Sequence, residues 1–450
     1  MLNPGSGVLA LTIPDWPAFL PILGAGALVA ALASRNLKQF AVVLMVGGWG
    51  LFALTSPSAQ FPTFLRPLAV AVCSAGAILH ALQTGPRARF RTTPRRIALP
   101  SRFIFIYVVF VALGCMVSPN GPRNLIRWVQ GVAIIMSCFY AVAVALTDHL
   151  LLVTFAACSA NVVLSVISRQ QELTYEGYPN GRLAGHMNPN HLAFTAAEVL
   201  IGLIFLLPRR PHLTLPFLGR VSMRVPLVMN GLVAAYALYA TRSRTGLIAF
   251  VIAALIAWFA GEHVRGARTK VVIRVVAVAL VLGPLAAPAI GSYLNRDSST
   301  DSITSLTGRT DFWPVAVDLI EQRPIIGWGV NVILSPAGKK FQEILPGVGQ
   351  AHNAFLEAAL QSGIIGATAW ALSLIGVMIG SFRLPRSDTY RSLLITFSIL
   401  LVFSSVTESS PAWFGDMFIA YIMCAAIYSE RLQLVPARVT TRRQRALVAT

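Results

Sequence analysis

Apolar runs of roughly 16–20 residues recur along the chain, separated by short segments rich in Arg, Pro, Gly and Asn. As a helix, a run of that length crosses the ~30 Å of hydrocarbon in a bilayer. The pattern predicts spans at residues 18–33, 39–54, 64–82, 102–117, 129–147, 150–167, 191–207, 225–240, 246–260, 271–290, 354–382, 393–406 and 417–428. The expected fold is therefore an all-α polytopic membrane protein with twelve or thirteen transmembrane helices. A different pattern occupies 310–322, where Phe312, Val315, Leu319 and Ile320 fall on one helical face. That spacing predicts a short amphipathic helix on the membrane surface, ended by Pro324 and followed by a turn at Gly327 and Gly329. No fixed-period repeat is present, nor the pair of Gly/Pro-broken spans that marks an inverted-repeat transporter.

The polar segments sort by charge. Residues 85–96, 208–224, 261–274, 383–391 and 431–445 are Arg-rich, and an even number of spans separates each from the next. They can share one side, which the positive-inside rule makes the cytoplasm, with the C-terminus there too. Residues 119–128, 168–190, 241–245 and 291–353 then face outward. The expected organisation is N-terminal transmembrane helices over 1–168, further helices with periplasmic loops 168–190 and 241–245 over 169–290, a long periplasmic loop over 291–353, and C-terminal helices with a basic cytoplasmic tail over 354–450. The outward segments nevertheless hold Arg123, Arg127, Arg169, Arg182, Arg242, Arg244, Arg296, Arg309 and Arg323. Guanidinium groups stay charged and grip phosphate oxygens two at a time, so arginines on the side where insertion disfavours them point to an anionic ligand. The competing reading pairs some of them with Asp311, Asp318 or Glu321.

Composition agrees. Of 450 residues, 56% are hydrophobic and 12% charged, about half the ~25% charge of a soluble domain; the mean hydropathy is +0.68. The net charge of +19 lies in short clusters between apolar runs, without the basic face or aromatic-lined groove of a nucleic-acid binder. The five cysteines, Cys73, Cys115, Cys138, Cys158 and Cys424, all fall inside apolar runs, which speaks against a disulfide framework or a thiolate metal site. The first residues lack a basic n-region, so no cleaved signal peptide is expected.

Three outward segments carry candidate chemistry: GRLAGHMNPNHLAF at 181–194, TRSRTG at 241–246, and 308–331, which runs on to AHNAFLEAALQSGIIG at 351–366. Their most specific features are Gly308-Arg309-x-x-x-Trp313, the Pro324-x-x-Gly327-x-Gly329 turn, and His352-Asn353 at the head of a span. Together these segments resemble the O-antigen ligase family, whose wider group includes O-antigen polymerases and protein O-oligosaccharyltransferases. The likeness covers about half the chain, from residue 181 to 366.

The resemblance implies a GT-C-like glycosyltransferase of lipopolysaccharide biosynthesis, with a helical periplasmic cap, in the bacterial inner membrane. Such an enzyme moves a polysaccharide from undecaprenyl diphosphate to a sugar hydroxyl of lipid A-core at the periplasmic face. It uses no cofactor and no metal, and a single displacement implies inversion. The leaving lipid diphosphate needs charge stabilisation, worth a few kcal/mol per well-placed donor. The sugar hydroxyl is a weak nucleophile and gains roughly 10²–10⁴-fold from a general base. A neutral imidazole suits that task, and His352 is the candidate, because His80, His149, His212 and His263 fall on cytoplasmic segments or span ends. His186 and His191 face outward but have no acidic partner at metal-ligand spacing. Arg182, Arg242, Arg244 and Arg309 are the candidates for the diphosphate, with one of Arg242 and Arg244 expected to face the site. Asn353 and Trp313 are candidate supports, Asn188 and Asn190 candidate caps of the following span, and Trp313 and Trp328 candidate interface anchors. An O-antigen polymerase or a protein O-oligosaccharyltransferase would use the same donor. A transporter of lipid-linked glycan would need ionisable groups at mid-bilayer, where Glu198 and Glu357 are the candidates.

Overall fold

The computed structural model describes residues 37–55, 65–84, 97–119, 121–168, 182–183, 187–206, 212–215, 219–222, 224–260, 309–344, 350–409, 412 and 417–448; the side chains of 212–221, 257–260, 309–312, 334 and 434–448 lie outside that description. Among the described residues six helices come first: α1 (Leu37–Leu54), α2 (Leu65–Thr84), α3 (Leu99–Met116), α4 (Gly121–Ala143), α5 (Thr147–Ser168) and α6 (Pro189–Leu206). An antiparallel hairpin of β1 (His212–Leu215) and β2 (Gly219–Ser222), with His212 opposite Ser222, precedes α7 (Arg224–Ala240) and α8 (Arg244–Ala260). Then come α9 (Arg309–Gln322), two 3-10 turns (Val332–Leu334 and Pro336–Gly338), α10 (Lys339–Ile344), α11 (Ala354–Arg383), α12 (Arg391–Thr407) and α13 (Phe418–Val448).

Among the described residues seven helices, α1 to α6 and α11, are long and apolar enough to cross a membrane; α7, α12 and Arg244–Ile256 of α8 are shorter apolar helices. The expected spans at 18–33 and 271–290 lie outside the described residues, and every other expected span overlaps a helix. Leu113, Ile126, Leu152, Ile204, Leu232 and Phe403 point outward and are exposed. Around a soluble bundle such a surface would be an aggregation patch, whereas in lipid it is the solvated face. Apart from the hairpin, which falls in the basic 208–224 segment, the described chain is a polytopic all-α membrane protein. One boundary moved: α4 starts at Gly121, so most of the expected outer loop 119–128 is helical. Pro122 fits that start, because the first turn of a helix needs no N–H from it, while Arg123 and Arg127 made the turn look like a loop.

Small residues let the helices approach. Gly48 of α1 lies against the Cys73 backbone of α2, and Gly76 of α2 against that of Met45, leaving no room for a β-carbon on either. Polar ties cross the interior, including Trp49 Nε1 to Thr154 Oγ1 at 2.8 Å and Ser101 Oγ to the Ala425 carbonyl at 2.9 Å. The five cysteines are buried and free. α3 and α11 run antiparallel, since Gly114 meets Gln361 while Pro100 meets Gly376. The end of α3, the start of α11 and the end of α12 therefore share one end of the bundle. At the other end Tyr390 donates to Asp148 at 2.6 Å, and the Arg431 guanidinium lies 4.0 Å above the Tyr390 ring.

Residues 309–344 form a cap over the shared end. Val315, Leu319 and Ile320 of α9 pack with Trp328, Val332, Ile333 and Phe341 and with Ala351 and Leu360 of the α11 approach. The apolar face of α9 is thus covered by the chain itself and not laid on lipid. Trp328 is buried and donates to the Leu319 carbonyl at 2.7 Å, so it is a core residue and not an interface anchor.

The cap docks into a break in α11. Gly363 has φ 69° and ψ 180°, in the middle of an otherwise continuous helix. The groups freed there are taken up by the turn after α9: Trp328 N–H donates to Leu360 O at 2.8 Å, Gly329 N–H to Gln361 O at 3.0 Å, and Ile364 N–H to Pro324 O at 2.7 Å. In hydrocarbon each unmet group would cost several kcal/mol, so the break persists because the turn completes it. A β-carbon on Gly363 would run into the Ile325 carbonyl, and one on Gly329 would sit 2.8 Å from the Cys115 backbone.

Candidate functional site

At the shared end the chain gathers its polar side chains around one carboxylate. Glu408 caps the C-terminus of α12 and is fully buried. His352 Nδ1 lies 3.0 Å from Glu408 Oε2, His191 Nε2 lies 3.5 Å from the same oxygen, and Asn190 Nδ2 donates to Oε1 at 2.9 Å. Arg182 joins from the side, donating through Nη2 to Asn190 Oδ1 at 2.6 Å and through Nε to the Thr241 carbonyl at 2.9 Å. Burial alone would raise the Glu408 pKa, but hydrogen bonds and charge from His191 and His352 outweigh it and hold the carboxyl well below its usual range. When the His352 ring is neutral, an ionised Glu408 accepting from its Nδ1–H leaves Nε2 as the lone-pair nitrogen.

His352 is held in place from behind. Its backbone is left-handed, φ 48°, a conformation costing about 1–3 kcal/mol in a non-glycine residue, and it persists only where the surroundings enforce it. The preceding peptide is gripped on both sides: Trp313 Nε1 donates to the Ala351 carbonyl at 3.1 Å, and Ala351 N–H donates to Glu357 Oε2 at 2.9 Å. Glu357 is held by Gln361 Nε2 at 2.9 Å, and Gln361 by Tyr107 of α3 at 3.0 Å. On the other flank Asn353 is the N-cap of α11, accepting from Phe355 N–H and Leu356 N–H at 2.9 and 3.1 Å. Glu357 is therefore an anchor of the site loop, and Asn353 a cap.

The remaining candidates fall nearby. Arg244 begins α8 and is half-buried; Arg242 sits in the turn before it, exposed, with φ 50°. A β-carbon on Gly246 of α8 would sit 2.7 Å from that of Ala193 of α6, so α8 begins beside the first turn of α6, which holds Asn190 and His191. Asn188 caps that turn, accepting from Asn190 N–H at 3.0 Å. Arg309 opens α9, one turn before Trp313, and its side chain lies outside the described residues. Arg323 is engaged with structure: it donates to the Val117 carbonyl at 2.8 Å and stacks on Trp328 at 3.9 Å. The starts of α6, α8 and α11 thus converge on His352 and Glu408, and helix N-termini carry partial positive charge that favours an anion.

Glu408 and the part played by His191 escaped the sequence reading. Glu408 lies 56 residues from His352 and looked like the polar end of an apolar run. Its one visible signal is rarity, since the chain has only 17 acidic residues and this one closes a span on the outward side. Glu198 sits deeper, accepting from Cys158 Sγ at 3.4 Å beside a cavity of about 40 Å³ that Thr154 and Met423 also line.

No curated protein matches the chain. Residues 229–371 match the family model described as O-antigen ligase, a stretch that takes in the 241–246, 308–331 and 351–366 elements and stops short of 181–194. Over those residues the chain is similar to the O-antigen ligase family.

Proposed function

We propose that the protein is an O-antigen ligase that transfers a polysaccharide from undecaprenyl diphosphate to a sugar hydroxyl of lipid A-core at the periplasmic face of the bacterial inner membrane. The observation that carries the proposal is the His352–Glu408 pair at the head of α11, beside three helix starts and the Arg242–Arg244 turn. In this reading Nε2 of His352 takes the proton from the acceptor hydroxyl as its oxygen attacks the anomeric carbon. The bond from that carbon to the diphosphate oxygen breaks, and the lipid diphosphate leaves with the electron pair. Glu408 fixes the tautomer of His352 and stabilises the imidazolium that forms. His191 and Asn190 hold Glu408, and Arg182 holds Asn190.

Arg244, Arg242 and Arg309 neutralise the leaving diphosphate, together with the dipoles of α6, α8 and α11. The 309–344 cap closes over the donor headgroup in the manner of a GT-C enzyme. Direct displacement with a base and no carboxylate nucleophile inverts the anomeric centre, and the reaction draws on no metal. Glu408 is committed to the imidazoles, so it does not act as nucleophile. A transporter reading has less support, because Glu357 anchors the site loop and Glu198 borders only a small cavity.

The test is coupling by purified protein in proteoliposomes. A product that requires both the undecaprenyl-diphosphate glycan and lipid A-core, at full rate in chelator, is expected. Joining of donor to donor would make the protein a polymerase, and no transfer at all would end the ligase reading.

A further inference from the structure

A second cluster of guanidinium groups lies on the same end of the bundle, on α2 and α4, and α4 packs on α2, α3 and α13. α2 and α4 run parallel, held at their far ends by His80 Nδ1 and Tyr140 OH at 2.9 Å. Counting back at about 1.5 Å per residue, Arg66 of α2 and Arg127 of α4 both lie about 20 Å from that contact, hence at one level. Arg66 feels the charge of Arg127, and Arg127 that of Arg123. Arg123 and Arg127 are one turn apart on one face of α4, and both are exposed. Arg66 is half-buried as a residue with its Nε fully buried, and its guanidinium lies 4.8 Å from the Phe52 ring centroid. The first turn of α4 has no acid, and among the described residues no carboxylate pairs with Arg123 or Arg127. Like charges held one turn apart, as Arg123 and Arg127 are, raise one another's energy until an anion joins them.

The surroundings say what kind of anion. Leu125, Ile126 and Val129, interleaved with the arginines on α4, are exposed at 37%, 60% and 53%. An apolar surface open to the outside beside exposed guanidinium groups is the profile of a helix end between hydrocarbon and headgroups. We propose that Arg66, Arg123 and Arg127 form a binding site for the phosphate of an anionic membrane lipid, distinct from the site around His352. The inference rests on the membrane-spanning fold and not on the transfer reaction.

Native mass spectrometry of the full-length protein, carried in micelles doped with phosphatidylglycerol or phosphatidylcholine, tests it. Wild type should retain phosphatidylglycerol in preference to phosphatidylcholine. Arg123→Gln should weaken that retention about fivefold, and Arg123→Gln with Arg127→Gln about 25-fold, from about 1 kcal/mol per basic residue near a lipid surface. Both positions are exposed and Gln is a good helix former, and the single variant supplies the reading should the double one misfold. Equal retention by wild type and Arg123→Gln would overturn the site. Complete displacement of the lipid by millimolar inorganic phosphate would overturn its assignment to a lipid headgroup.

Discussion

At the scale of single residues the account turns on a buried carboxylate and the ring it orients. An ion taken out of water costs several kcal/mol, and Glu408 recovers this through donors from His352, His191 and Asn190. Glu408→Gln keeps the shape but removes the charge that sets the His352 tautomer. It should lower the coupling rate about 10²-fold or more with KM for the donor nearly unchanged; a wild-type rate would make Glu408 structural only. His191→Ala leaves the carboxylate short of a donor, and should lower stability in detergent by about 3 kcal/mol, read from thermal unfolding. The pH dependence has a definite sign. The Glu408 pKa is depressed in the folded protein, so its contribution to stability is complete above the ordinary carboxylate range, near ~4.3. That contribution is lost as pH falls toward the depressed value, and the acid limb of a stability profile should be shallower in Glu408→Gln. His352 was legible because it stands beside Asn353 at the head of a span. Glu408 was not, because only the return of α12 to the same end brings it within reach.

At the scale of elements, the break in α11 is the feature on which the site depends. Hydropathy reads 354–382 as one span, and it is one in extent, but Gly363 turns left-handed in its middle to admit the 324–329 turn. The glycines at 327 and 329 were readable as a turn; their partner was not, because a single Gly in an apolar helix is common. Gly363→Ala combines a left-handed β-carbon, about 1–2 kcal/mol, with a collision against Ile325. A loss of more than about 2 kcal/mol in unfolding free energy is expected, together with reduced coupling as Ala351 and His352 shift. A variant as stable and active as wild type would separate the break from the site. The amphipathic period of α9 was also visible, while its burial against Phe341 and Leu360 required the cap to fold back. Arg309 stands one turn ahead of Trp313 on this helix, and Arg309→Lys should cut coupling at least about tenfold, because an ammonium cannot form the bidentate fork.

At the scale of the whole molecule, the apolar runs settle most of the architecture, since in a bilayer every helix must satisfy its own backbone and length alone marks a span. What hydropathy cannot convey is which helix ends meet, and the site is made of such meetings: the starts of α6, α8 and α11 with the end of α12. Arg383, Arg386, Arg391 and Arg431 are set at the end opposite His352, where α11 gives way to α12 and α13 leaves its apolar half. Under the positive-inside rule such an end is the cytoplasmic one, and the periplasmic orientation of His352 in the proposed function rests on that rule. The most direct measurement of the central claim is the rate at which proteoliposomes holding wild type or His352→Ala join an undecaprenyl-diphosphate glycan to lipid A-core. The account predicts product with wild type and a fall of at least about 10²-fold in the variant, with the variant still folded. His352→Ala coupling at the wild-type rate would contradict it.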